Sequence, residues 1–312
     1  MRLISYRHQG RPGVGVMAND EAFVALSAAA PDLPSNLRLI ITLPDWQARV
    51  RRAIEGRKPD LRLADVKLDP VIIDPNAIWA LALNFQTHIE ETGLTTSKEY
   101  PQIFLRHAES QVGAGEPILC PPPSVGRAYD YEGELAVIIG RGGRFIPREN
   151  AMDHVAGYSI YNEGSVREFQ SHNRQFGLGK NFERSGSFGP WLMTPDEFGS
   201  PYDKLVMTRL NGVTRQRESI GHLIFKVEDL IHYLSTGHKL RPGDVIVTGT
   251  PGQLKPAADD RDGQISAHVK TGGVQYAGRA HMKPGDVCEV EIEGLGILRN
   301  PVIGDEAGYR AD

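Results

Sequence analysis

The sequence predicts a strand-rich α+β protein, and three observations carry that prediction. The chain of 312 residues holds 34 Gly and 21 Pro, a composition that favours turns over long helices. Its apolar or alternating stretches are short: Leu3–Tyr6, Ala22–Leu26, Ile78–Leu83, Leu135–Ile139 and Val287–Ile292 each have strand length. Helical spacing is confined to brief segments between them.

Taken in order, residues 1–30 read as short strands broken by glycines and by Asn19-Asp20. Pro44-Asp45-Trp46 opens a helix, because proline is tolerated in a first turn and Trp46, Val50, Ala53 and Ile54 recur at helical spacing. Gly56 weakens it and Lys58-Pro59-Asp60 stops it. Pro70 and Pro75 mark the stretch to Asn76 as a connector, which places a small N-terminal α+β domain at 1–76 and a second domain at 77–312. The second part starts with a buried strand, Ile78–Leu83, and a short helix from Thr87 to about Gly93. Pro117–Cys120 runs into three prolines, Leu135–Ile139 is the central strand, and Arg141–Arg144 is a turn. A short helix spans Glu149 to about Val155, and Val155–Tyr161 follows as a strand. Two similar turns, Arg241-Pro242-Gly243-Asp244 and Lys283-Pro284-Gly285-Asp286, have the Pro-Gly centre of a type II turn and precede strands at Val245 and Val287. Residues 253–282 read as a long loop, a candidate flap or oligomer contact.

Composition excludes several function classes. At 40% hydrophobic the chain can bury a sizeable core, and a net charge of −4 is not the basic footprint of a nucleic-acid binder. No apolar run of about 18 residues predicts a membrane span, and the start shows no signal peptide. Cys120 and Cys288 lack Cys-x-x-Cys spacing and read as free thiols in a reducing compartment, so the expected location is the cytoplasm.

The chemistry lies in three acidic residues. Glu132 and Glu134 stand two apart at the head of the central strand, where residues i and i+2 face one side, and Glu163 follows about thirty residues on. Neighbouring carboxylates repel unless one is protonated or a cation lies between them, and an all-oxygen cluster suits Mg²⁺ or Mn²⁺. The plainer alternative is ordinary surface carboxylates at a strand end. Asp130, on the same face, is a further ligand candidate or a turn residue. His88 and Glu91, at i and i+3, form either a general-base dyad or an exposed polar pair. Lys180, in Gly-Leu-Gly-Lys-Asn-Phe, reaches an anionic intermediate or is simply solvated. Arg167 and Gln170 share a helical face that suits a substrate carboxylate or plain solvent. Thr250, in Thr-Gly-Thr-Pro-Gly, lies either at a ligand or at an ordinary turn. No Walker or dinucleotide fingerprint occurs, since Gly13-Val14-Gly15 lacks the third glycine.

In order along the chain, these pieces resemble the fumarylacetoacetate hydrolase family. The matching stretches are Leu83-Asn84-Phe85 with His88 and Glu91, Asp130 to Val137, Gly157 to Gln170, Gly179-Lys180-Asn181-Phe182, Gly189-Pro190-Trp191, Leu240 to Pro251, and Lys283 to Val287. The resemblance runs from about residue 78 to the end. It implies a mixed β-sandwich roll, a homodimer, and one Mg²⁺ or Mn²⁺ per subunit. Glu132 and Glu134 match the first two metal ligands; Glu163 falls where most members have Asp, and its extra methylene extends the carboxylate by about 1.5 Å. His88 and Glu91 match a dyad on a lid helix, Lys180 a lysine at the reacting centre, and Arg167, Gln170 and Thr250 substrate contacts. Phe85 replaces a more usual Tyr, and Arg106 a more usual Lys.

The resemblance further implies hydrolysis of a C–C bond in a β-dicarbonyl or acylpyruvate-type acid, as in aromatic-compound catabolism. His88, oriented by Glu91, would take a proton from water, and the resulting hydroxide would attack the carbonyl. The same residues serve an oxaloacetate-type decarboxylase or a 2-hydroxymuconate-type isomerase or hydratase. A non-catalytic, metabolite-binding relative is the alternative of another class. The expected partner is a small oxo acid, with neither nucleic acid nor membrane.

Overall fold

The computed structural model describes residues 1–94, 96–97, 99–173, 175–254, 270–271, 274–275 and 280–305, so the expected 253–282 loop lies largely outside the described residues. All seven residues of the strand Gly133–Ile139 are buried. Alternation sends Leu135, Val137 and Ile139 into one core, with Val206, Val290, Ile292 and Leu298 from a second sheet and Leu230, Ile231 and Leu234 from the helix Val227–Gly237. Ala136 and Ile138 enter the opposite core, with Ile78, Ala80, Val245 and Val247 and with Leu37, Ile40, Trp46 and Val50 from the N-terminal helices. Burial on both faces is why this segment reads as an unbroken apolar run.

The large sheet has twelve strands. Its main path runs Leu61–Arg62, Ala22–Ala25, Arg11–Met17, Arg2–His8, Gly186–Met193, Val155–Asn162, Gly133–Ile139, Val245–Val247, Ile78–Ala82, Gln102–Arg106. Most neighbours are antiparallel, while Val245–Val247 lies parallel to Ile78–Ala82. A five-stranded sheet, Val213–Ser219, Leu205–Leu210, Val287–Ile292, Gly296–Gly304 and Ile118–Cys120, covers one face. The fold is thus strand-rich α+β with mixed sheets. The N-terminal strands enter the same sheet, through Arg2↔Met193 and Leu3↔Leu192. Inside the expected connector, Leu61–Arg62 and Lys67–Leu68 each pair with an N-terminal strand.

The helix Trp46–Ile54 and the helix Gln86–Thr92 occupy the expected places. The segment Arg148–His154 is 3₁₀ rather than α-helical. The two Pro-Gly-Asp turns use one device. Gly243 and Gly285 take φ of +86° and +95°. Asp244 and Asp286 then accept from the backbone N–H of Arg241 and Lys283 at 2.8 and 2.9 Å.

Gly133 faces the second sheet without clearance. A Cβ there would lie 2.2 Å from Thr208 Oγ1 and 2.9 Å from Val290 Cγ1. Gly133→Ala should therefore cost about 1–3 kcal/mol in a denaturant titration. Gly237→Ala, with nothing within 4 Å of its Cβ, should be neutral or stabilising by up to about 1 kcal/mol. Equal effects of the two substitutions would contradict the packing described.

Candidate metal centre and active site

Sheet register explains how carboxylates thirty residues apart meet. The strand Val155–Asn162 runs antiparallel to Gly133–Ile139, with Gly133 opposite Asn162. Glu132 precedes one strand and Glu163 follows the other, so both lie at the same end of the pair. The Glu163 N–H donates to Glu132 O at 2.8 Å, and Asn162 Oδ1 accepts from the Glu132 N–H at 3.2 Å. Glu134, on the face of Ala136, completes the group.

Ligand atoms of Glu132, Glu134 and Glu163 lie within 4.8 Å of one another, and all three residues are buried. Glu163 reaches the other two despite its extra methylene. The Oε1 atom of each carboxylate accepts no hydrogen bond among the described residues. Buried acceptors normally find a donor; here Glu132 Oε1 and Glu163 Oε1 have Arg167 and Arg106 as ion-pair partners, and three buried carboxylates with ligand atoms this close are the fit expected of a hard divalent cation.

Cationic side chains hold the cluster from outside. Lys180, buried on the turn Leu178–Lys180, bridges Glu132 Oε2 at 2.6 Å and Glu163 Oε2 at 2.7 Å. Arg167 donates to Asp130 Oδ2 through Nε and Nη2, pairs with Glu132 Oε1, and reaches Gln170 Oε1 at 2.7 Å. Burial raises the Glu132 carboxyl, but Arg167 and Lys180 outweigh it and hold the group well below the usual carboxylate range. Burial, then the charges of Glu163 and Glu132, push Glu134 well above that range. Burial also raises Glu163, against the opposing charges of Lys180 and Arg106. Three carboxylates this close do not all ionise readily without more positive charge.

His88 is buried on the helix Gln86–Thr92, its Nδ1 at 3.1 Å from Glu91 Oε2. Asn84 anchors the approach to this helix by donating to Thr248 O at 2.7 Å and Phe225 O at 3.0 Å. The Gly252 N–H donates to Thr87 Oγ1. The segment Thr248–Gly252 thus docks the dyad, while its Gly249 N–H donates to Glu134 Oε2. The Thr250 hydroxyl donates to Gly133 O at 3.1 Å and accepts from Gln216 Nε2 at 2.8 Å.

All nine candidates are thereby located. Lys180 bonds to Glu132 and Glu163, Arg167 pairs with Glu132, Glu134 lies within 4.8 Å of the other two carboxylates, Gln170 is tied in through Arg167, and Thr250 is tied to the Gly133 backbone. His88 bears electrostatically on Glu132. Sequence reasoning missed Gln216, buried in the second sheet, whose Oε1 accepts from the Gly133 N–H; the polar run Thr-Arg-Gln-Arg-Glu around it gives no signal. It also missed the contact of Arg106 Nη1 with Glu163 Oε1 at 3.5 Å.

A family model for the fumarylacetoacetate hydrolase C-terminal domain matches residues 77–303. A mitochondrial oxaloacetate tautomerase of Xenopus laevis is 31% identical over 309 residues, spanning 97% of this chain and 90% of its own. A fumarylacetoacetate hydrolase structure from the psychrophilic Exiguobacterium antarcticum has a TM-score of 0.76 at 30% identity, covering 97% of this chain and 99% of that one. A 5-carboxymethyl-2-hydroxymuconate delta-isomerase from Mycobacterium smegmatis has a TM-score of 0.70 at 26% identity, covering 98% and 99%.

Mn²⁺ at a hundred times its Kd should stabilise the wild type by about 2.7 kcal/mol in thermal melting, and Glu132→Ala should abolish the shift. An equal shift in both proteins would place the cation elsewhere.

Proposed function

Because this chain belongs to the fumarylacetoacetate hydrolase family, we propose that it is a metal-dependent enzyme that draws a proton from a bound 2-oxo acid and stabilises the resulting enolate. The observation that carries this reading is the His88–Glu91 dyad beside a buried carboxylate cluster bridged by Lys180. A Mg²⁺ or Mn²⁺ ion held by Glu132, Glu134 and Glu163, one per subunit, would supply Lewis acidity toward the oxo-acid oxygens.

In neutral His88 the Nδ1–H donates to Glu91 Oε2, which leaves the Nε2 lone pair to accept the proton. The Lys180 ammonium offsets the negative charge that develops on the enolate oxygen. Arg167 is already gripped by Asp130 and Glu132, so its share in substrate binding is charge. Gln170, whose Oε1 is taken by Arg167, offers its Nε2–H to the substrate carboxylate, and Thr250 is the remaining assigned substrate contact.

The first substrate choice is oxaloacetate, interconverted between keto and enol forms by returning the proton. Similarity over nearly the full length to an oxaloacetate tautomerase supports it. The second reading is C–C hydrolysis of a β-dicarbonyl or acylpyruvate-type acid, as in aromatic-compound catabolism. The dyad favours it, because the same Nε2 can activate water. A homodimer in a reducing compartment, with the cytoplasm as the working assignment, completes the proposal; the buried free thiols of Cys120 and Cys288 fit such a compartment. No described helix is long and apolar enough to cross a membrane.

Oxaloacetate, acylpyruvates and 2-hydroxymuconate-type acids should be assayed with Mg²⁺ and with Mn²⁺, products being identified by mass and ultraviolet spectrum. Unchanged mass with loss of the oxaloacetate enol band supports tautomerisation; gain of water supports hydrolysis; loss of CO₂ supports decarboxylation. Turnover of none of them, with cation binding retained, leaves a metabolite-binding relative. His88→Ala should lower kcat about 10²–10⁴-fold while keeping the Mn²⁺ melting shift. Full turnover by that variant would remove His88 from the mechanism.

A further inference from the structure

Arg106 is a buried arginine on an edge strand. The strand Gln102–Arg106 closes the large sheet, and its alternation leaves Leu105 exposed while Phe104 and Arg106 turn inward. Its side chain is fully buried, and the ion pair given for it among the described residues is with Glu163. The guanidinium is fixed at several points. Nη1 donates to Gly164 O at 3.1 Å, and Nη2 lies 3.3 Å from Ser110 Oγ and 3.4 Å from Ser185 Oγ. The Tyr161 ring lies 5.8 Å beneath it.

We propose that Arg106 is a positioning residue for Glu163: its anchored guanidinium fixes the direction of that carboxylate and so sets how tightly the cluster takes a divalent cation. The inference rests on the reading of the three glutamates as a cation site. Glu163 is flexible about its side-chain torsions, and ordering such a side chain costs rotamer entropy. Lys180 bonds to Oε2 at 2.7 Å and the Arg106 charge faces Oε1 at 3.5 Å, so two cations flank opposite oxygens and favour one orientation. The planar fork is what allows Nη1 to serve Gly164 O and Glu163 while Nη2 serves two serines. A lysine ammonium is a point charge on a flexible stem and cannot span that set.

The test is a double-mutant cycle of Arg106→Lys and Glu163→Asp, read by calorimetric titration of Mn²⁺ without substrate, with kcat and KM at saturating Mn²⁺ as a second readout. Partners that orient a metal ligand typically contribute 10–100-fold to affinity, so Arg106→Lys should weaken Mn²⁺ binding about tenfold or more. At saturating Mn²⁺ the fold-loss in its kcat should be smaller than the fold-loss in Mn²⁺ affinity. Glu163→Asp should weaken binding less in the Arg106→Lys background than in the wild type, because the two positions share one interaction. Ser110→Ala removes an anchor without touching charge and should weaken Mn²⁺ binding in the same direction in the folded variant. It decides the matter if Arg106→Lys fails to fold. Unchanged Mn²⁺ affinity in the folded variant, or fold-changes that simply multiply in the double variant, would overturn the proposal. A wild type that binds no Mn²⁺ would overturn the cation-site reading itself, and this inference with it.

Discussion

The structure depends on balancing buried charge. Asp130, Glu132, Glu134 and Glu163 are buried together with Arg106, Arg167 and Lys180, four carboxylates against three cations. Such groups are tolerated inside a protein when they are paired and hydrogen-bonded, and are costly otherwise. The residual imbalance falls on Glu134, which burial and its two acidic neighbours push toward the protonated form. A divalent cation would reverse the sign of the sum, which suits the anionic oxo acid proposed as substrate. Cation binding and attraction of that substrate would then be met by one charge distribution.

The fold holds that distribution rigidly because its glutamates belong to the central sheet rather than to a surface loop. Glu132, Glu134 and Glu163 stand at adjoining ends of two antiparallel strands that are buried on both faces. The second sheet enters through Gln216, which bonds to the Gly133 N–H and to Thr250. The Thr248–Gly252 segment then ties the carboxylate end to the dyad helix. A shift of the strand by one residue would turn Glu134 into the core that holds Leu135, so register and chemistry are set together.

What the sequence made legible follows from local periodicity. The i, i+2 spacing of Glu132 and Glu134 and the apolar run after them located the strand and the buried acidic cluster, and the type II turns read from Pro-Gly carry the positive φ that this turn type needs at its glycine. The i, i+3 spacing of His88 and Glu91 matched the dyad found on the helix. Long-range pairing was not legible: nothing near Arg2 announces a bond to a strand ending at Met193. The helix Val227–Gly237, whose apolar face seals the core, went unread although its spacing is helical. The contact between Arg106 and Glu163, the two positions noted as departures in charge-bearing residues, needed the fold because 57 positions separate them in the sequence. For Arg167, the spacing to Gln170 gave the hydrogen bond but not its burial against Asp130 and Glu132.

The family sets the architecture, and in the proposed mechanism the acidic cluster sets the chemistry while the fate of the enolate belongs to the residues around it. The claim beneath all of this is that Glu132, Glu134 and Glu163 are ligands of one divalent ion. Anomalous X-ray scattering from a crystal grown with Mn²⁺ tests it most directly. A single strong peak within bonding distance of an oxygen from each of the three carboxylates, about 2.0–2.3 Å, is the predicted result. A peak elsewhere, or ordered water among those three groups with Mn²⁺ in excess, would contradict it.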